Sequence, residues 1–329
     1  MFVLEWVPTG SMNFARSGHT ASVLKNGHVL VACGINSASA SSEVYDPATG
    51  KWTNTGNLNI GRSAHTASVL KDGKVLVAGG HGNAGTLNNA ELYDPSNGGW
   101  TTTGNLNQGR FIHASTVLMN GNVLVTGGTG SPTTAELYNS TTGTWTMTGN
   151  LIDQRVKATA SILKNGQVLV VGGYGSPGTS ELYNPLTGKW TATGDLNNPR
   201  VDHTESLLAD GKVLIVGGFE SNAIVDLKTA ELYDPATGKW TLTGSLHNGR
   251  AGPSTALLPN GKVLVTGGWN GKAPISSAEL YDPATGTWTL VGDLAGPEFG
   301  QSESLLLNGK VLVAGGYNGN SNLNTAVLY

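Results

Sequence analysis

The sequence predicts an all-β protein made of seven copies of a four-stranded unit. Three observations carry this. Tryptophan recurs at Trp6, Trp52, Trp100, Trp145, Trp190, Trp240 and Trp288. Ten residues after each Trp stands an Arg (Arg16, Arg62, Arg110, Arg155, Arg200, Arg250), except that Glu298 takes the place in the seventh unit. Eighteen residues further on, an apolar run ends at Gly34, Gly80, Gly128, Gly173, Gly218, Gly268 and Gly316. A fixed period of 45 to 50 residues is the mark of a repeat architecture.

Each unit reads as strands in order. Segments such as "HTASVL" form the first, and Val-rich runs such as "KVLVAGG" form the second. Asn26-Gly27, Asp72-Gly73 and Asn308-Gly309 join them, and such pairs tolerate the positive φ of a tight hairpin. "AELY" is the third strand and "KWT" the start of the fourth, joined by "DPATG", whose Pro and Gly suit a turn. No segment has helical periodicity. Tyr stands seven residues before each following Trp, so the third and fourth strands keep one register. Length varies only between Gly-Gly and the third strand, where the inserts are 8, 10, 7, 7, 12, 10 and 10 residues. These inserts and the entries to the first strands share one face, and function is expected on that variable face.

The Gly-Gly pair, the spaced Tyr and the spaced Trp resemble the kelch repeat over essentially the whole chain. The resemblance implies a seven-bladed β-propeller of four-stranded antiparallel blades around a channel. It divides one domain, 1–329, into blades at about 11–54, 58–103, 106–148, 151–193, 196–243, 246–291, and 294–329 joined by 1–9. The chain starts on a fourth strand and ends on a third, so the N-terminal strand is expected to complete the last blade and close the ring.

Composition narrows the function. Charged residues are 12% and net charge is −3, which argues against a nucleic-acid surface. No apolar run approaches a membrane span, so no membrane insertion is expected. Low charge with abundant Ser, Thr and Asn points to a secreted or cell-surface monomer, although no signal peptide is visible at Met1. The single Cys33 excludes an internal disulfide framework.

Most residues that invite a mechanism are repeated, and repetition points to scaffold. Glu43, Glu91, Glu136, Glu181, Glu231 and Glu279 accompany the six arginines, and the seventh unit loses both together (Glu298 for Arg, Val327 for Glu). Joint loss predicts an Arg–Glu pair in each blade, because a buried charge without its partner is costly. His19, His65, His113 and His203 share a slot that elsewhere holds Ala158, Pro253 or Gln301, so a metal is not expected. The Gly-Gly pairs precede no helix and are not phosphate loops. Cys33 replaces the first Gly of one pair and reads as a small buried residue.

What breaks the repeat on the variable face is the candidate site. After Gly-Gly stand His81, Tyr174, Phe219, Trp269 and Tyr317; at the first-strand entries stand Phe111, Ile112, Lys157, Asp202, Phe299 and Gly300; Glu205 and Glu303 lie slightly deeper. Rings beside charged groups predict a non-catalytic module binding a glycan or protein, with no cofactor. Two other readings stand beside it. One is an enzyme acting on sugar acids through Lys157, His81 or Tyr174. The other is a purely structural or engineered scaffold, which the near identity of Ala230–Trp240 and Ala278–Trp288 allows. Copper radical enzymes similar to galactose oxidase share the kelch-like propeller. Their chemistry is not expected here, since the sequence has no Tyr-His pair and Cys33 lies at a strand end.

Overall fold

The computed structural model describes residues 6–35, 39–220 and 225–329. Its strands form seven four-stranded antiparallel sheets arranged as propeller blades, and two small two-stranded ribbons. Blade 1 shows the plan: Thr20–Val23, Val29–Ala32, Ser42–Asp46 and Lys51–Asn54, each hydrogen-bonded to the next.

The second strands are buried along their whole length, for example Val29–Ala32, Val75–Ala78 and Val213–Val216. This is why they read as unbroken apolar runs: each is sandwiched between two blades. The core is therefore a set of seams. Leu70, Leu76, Ala78 and Ala90 of blade 2 pack on Val123, Val125, Tyr138 and Trp145 of blade 3, and the other seams repeat the pattern. Tyr and Trp pair within each blade, as at Tyr45–Trp52, 5.0 Å between ring centroids.

The turns follow their residue chemistry. Asp46 Oδ1 accepts the Ala48 N–H at 2.9 Å, and the Asp46 carbonyl accepts the Gly50 N–H at 2.8 Å, closing "DPATG". The ring closes where Val7 and Pro8 pair with Leu328 and Val327, and Trp6 packs on Tyr329 at 5.0 Å. Residues 1–5 of the expected closing strand lie outside the described residues.

Each of the six arginines binds the Glu of its own unit at 2.7–2.9 Å, with both side chains buried. The carboxylate also accepts backbone N–H groups just before the Arg, such as Asn59 at 2.8 Å and Ile60 at 3.3 Å. Both charges are thus hydrogen-bonded, the condition for tolerating a buried pair.

Two features were not apparent in the sequence. The inserts of blades 2 and 5 carry the ribbons His81–Gly82 with Gly85–Thr86 and Phe219–Glu220 with Val225–Asp226. Blade 6 has a long outer hairpin, Ile275–Asp282 against Thr287–Glu298, with register shifts. Among the described residues no helix is long and apolar enough to cross a membrane.

Candidate functional site at the channel mouth

Two residues after each Arg position the backbone turns into the left-handed region. All seven units do so: Gly18, Ala64, Ile112, Lys157, Asp202, Gly252 and Gly300, with φ between 53° and 68°. These residues form a hoop around the mouth. The Ile112 N–H reaches the Ala64 carbonyl at 2.9 Å, Lys157 reaches Ile112 at 3.2 Å, Gly252 reaches Asp202 at 2.7 Å, and Gly18 reaches Gly300 at 2.9 Å. Three units use Gly, which takes this conformation without strain. Lys157 and Ile112 take it at a cost of about 1–2 kcal/mol each.

The side chains placed by this strain meet. Lys157 Nζ donates to Asp202 Oδ2 at 2.9 Å, and both are only partly exposed. They border a hollow of about 260 Å³ lined by Ala64, Ile112, Ala158, His65, His113 and His203 as well. Phe299 sits beside this pair: a Cβ on Gly252 would lie 2.6 Å from its Cε2 and 3.5 Å from Asp202 Oδ2. One side of the mouth is therefore charged and the adjoining side aromatic.

The histidines under the hoop belong to the seams. His65, His113, His203 and His19 bond through Nε2 to a hydroxyl of the preceding blade, Thr20, Thr66, Thr159 and Ser302, each at 2.9 Å. Gln301 fills the same slot and donates to the Thr266 carbonyl at 3.0 Å. Burial, reinforced by the nearby Arg, lowers His19, His113 and His203 to about 3 and holds His65 well below its ordinary value. They are neutral at physiological pH.

Glu205 and Glu303 do not line the hollow. They sit on innermost strands, opposite Ile215 and Val313. Glu303 Oε2 accepts from Thr266 Oγ1 of the preceding blade at 2.8 Å, while Glu303 Oε1 and Glu205 Oε2 are buried without partners. Desolvation raises Glu205 to about 7 and Glu303 to about 8.

The aromatic arc is divided into edge-on pairs between neighbouring blades. Tyr174 meets Phe219 at 5.9 Å, Trp269 meets Phe299 at 6.2 Å, and His81 meets Phe111 at 5.2 Å. Each residue after Gly-Gly also bridges the residue after the Arg of its own unit, as Tyr174 does Val156. The Tyr317 hydroxyl holds its own loop at the Gly319 carbonyl, 2.7 Å away. These rings surround the mouth without lining its hollow. Lys157, Asp202 and Ile112 stand out in the sequence as breaks in the repeat, whereas their partners in the hoop, Gly18, Ala64 and Gly252, do not. The signal was present as an alternation of Gly and side-chain-bearing residues at one fixed offset from the Arg.

The kelch motif matches residues 62–107, 204–247 and 250–295. No curated protein sequence matches the chain. Among solved structures, one described as a "novel fungal alcohol oxidase with catalytic diversity among the AA5 family, in complex with copper" is similar at a TM-score of 0.85 and 19% identity, covering 99% of this chain and 76% of that one. At that identity the likeness shows the fold. It corrects the expectation of a non-catalytic module: a propeller of this form is one on which an enzyme is built, so neither a binding-only role nor the exclusion of oxidase chemistry follows from the fold.

A copper ion needs several converging donors. Among the described residues no three His, Cys, Asp or Glu side chains gather. The Nε2 atoms of the four seam histidines are committed to hydroxyls, and Cys33 is buried among Ala32, Leu58 and Val77, its thiol pushed up to about 11 by desolvation. The described His, Cys, Asp and Glu side chains do not fit a copper centre.

Proposed function

We propose that this kelch-repeat propeller is an enzyme that works at its channel mouth on a small hydroxylated molecule, with Lys157 and Asp202 binding it and handling its proton. The observation that carries this reading is the strain at the hoop. Three units put Gly there, while Lys157 is held in a left-handed conformation beside Asp202, forming an ion pair between blades 4 and 5 at the mouth. Backbone strain of this kind persists where a side chain is needed in one place. Asp202 can accept a hydrogen bond from a substrate hydroxyl and Lys157 can donate one to a substrate oxygen, the two being at hydrogen-bond distance of each other, so the pair can bind and orient a polyol and exchange a proton with its hydroxyl. Phe299, at the rim beside Gly252 and outside the hollow, offers an apolar surface to any part of the substrate that projects from it. The similar fold of an alcohol oxidase supports alcohols as the class to test first.

The experiment is a turnover screen of the full chain with primary alcohols and polyols, followed by NMR and by oxygen uptake, with and without added copper. Turnover that is lost in Lys157→Gly and in Asp202→Asn, with the fold intact, is the expected result. Turnover indifferent to both substitutions, or oxygen uptake on copper that survives them, would place the reaction elsewhere.

A further inference from the structure

The seventh blade breaks the polar pattern that the other six share. In those six, Arg Nη1 donates to the carbonyl seventeen residues on, at Cys33, Gly79, Gly127, Gly172, Gly217 and Gly267, over 2.8–3.0 Å. It also donates to a second carbonyl two residues before the paired Glu, such as Asn89 or Thr134. Where that residue is Ser or Thr, its hydroxyl meets Arg Nη2, as at Ser41 and Thr229.

Counting the same spacings in blade 7 puts Glu298 in the Arg place, Gly315 and Thr325 at the two carbonyls, and Val327 in the Glu place. The backbone around them is kept: the Gly315 N–H meets the Thr325 carbonyl at 3.0 Å, as Gly79 meets Asn89 at 3.1 Å. Glu298 is 4% exposed and its Oε2 has no partner. Among the described residues no donor reaches the Gly315 carbonyl, although its six counterparts each receive a guanidinium N–H.

A carboxylate side chain is two bonds shorter than an arginine. It is also an acceptor, so it cannot make the guanidinium's donations to the two carbonyls. The polar groups that the repeat register brings to that place are the oxygens of Gly315 and Thr325 and the Glu298 carboxyl, with apolar Val327 where the paired Glu would stand; burial alone raises Glu298 to about 8, and a positive partner is what would hold it ionised. Oxygen-only sites with a carboxylate and carbonyls suit hard cations.

We propose that blade 7 holds a small hard cation, calcium or an alkali ion, where the other blades hold a guanidinium, with Glu298 and the oxygens of Gly315 and Thr325 as ligands. This assignment is independent of the reading of the channel mouth. It is tested on the full chain, stripped with chelator into choline buffer at constant ionic strength. Thermal unfolding is measured with added calcium, sodium or potassium, and bound ion is counted by equilibrium dialysis. One of these ions should raise the Tm by several degrees, saturably, at one ion per chain. Glu298→Gln should lose both effects. The double variant Glu298→Arg/Val327→Glu rebuilds the pair of the other blades and should fold without the ion and bind none, which keeps the test decisive if Glu298→Gln fails to fold. Equal Tm in all cations with no bound ion would overturn the proposal, as would ion binding that survives in the double variant.

Discussion

At the scale of single residues, the same position can serve the fold in one repeat and something else in another. Gly252 and Gly300 fill the hoop without strain, whereas Lys157 fills it at a cost and carries a charge to the mouth. Lys157→Gly should therefore leave the Tm unchanged or slightly raised, because relief of about 1 kcal/mol of strain offsets the loss of a partly exposed ion pair. Calorimetry of the variant beside its turnover separates the two effects. The paired arginines behave in the opposite way. Arg62→Ala strands Glu91 in the interior and should cost about 3–5 kcal/mol in urea unfolding. Replacing both, as Arg62→Met/Glu91→Leu, should cost much less, since no unpaired charge remains.

At the scale of the element, each blade depends on its neighbour's turn. The Gly in each "TG" before a blade lies against the "DPATG" turn of the next. A Cβ on Gly56 would stand 2.5 Å from the Gly98 carbonyl, which is too close for any side chain. Gly56→Ala should therefore destabilise the junction of blades 1 and 2. Hydrogen exchange should show the loosening centred on Lys51–Asn54 and Gly99–Thr102. Among the described residues the closing strand contributes two ladder pairs, and these join the two ends of the ring. Deleting residues 1–9 should lower the Tm and open blade 7 first; an unchanged Tm would refute this account of closure. These elements were legible in the sequence because their signals are local: Asn-Gly hairpins, Val runs and the Tyr-to-Trp spacing. The ribbon at His81 and the long hairpin of blade 6 were not, because they sit where the repeats differ and no second copy fixes their register.

At the scale of the whole molecule, stability is shared among seams that bury titratable groups in neutral form. Four histidines have folded pKa values lowered to about 3 or well below their ordinary value, so the unfolded chain binds more protons between about pH 3 and 6.5 and stability rises with pH there. Glu205 and Glu303 are raised to about 7 and about 8, so the folded chain holds protons that the unfolded chain releases above about pH 4.5. Their contribution is lost as pH rises to those values. The two slopes predict a stability maximum near pH 6.5, read from Tm against pH. The alkaline decline should flatten in Glu205→Gln/Glu303→Gln. Undiminished decline in that variant would assign it to other groups.

The sequence by itself determined the number of blades, their strand order, the Arg–Glu pairing and the face on which the repeats diverge. It could do so because seven copies of one pattern average out everything that is not architecture. Only the tertiary structure decided which divergent residues meet. It brought Lys157 and Asp202, 45 residues apart, to 2.9 Å at the mouth, and it turned the aromatic arc into edge-on pairs. It also took Glu205 and Glu303 into the seams and left Glu298 buried with an unpartnered carboxyl oxygen. Contacts between blades depend on ring closure, which sets distances that spacing along one chain does not encode.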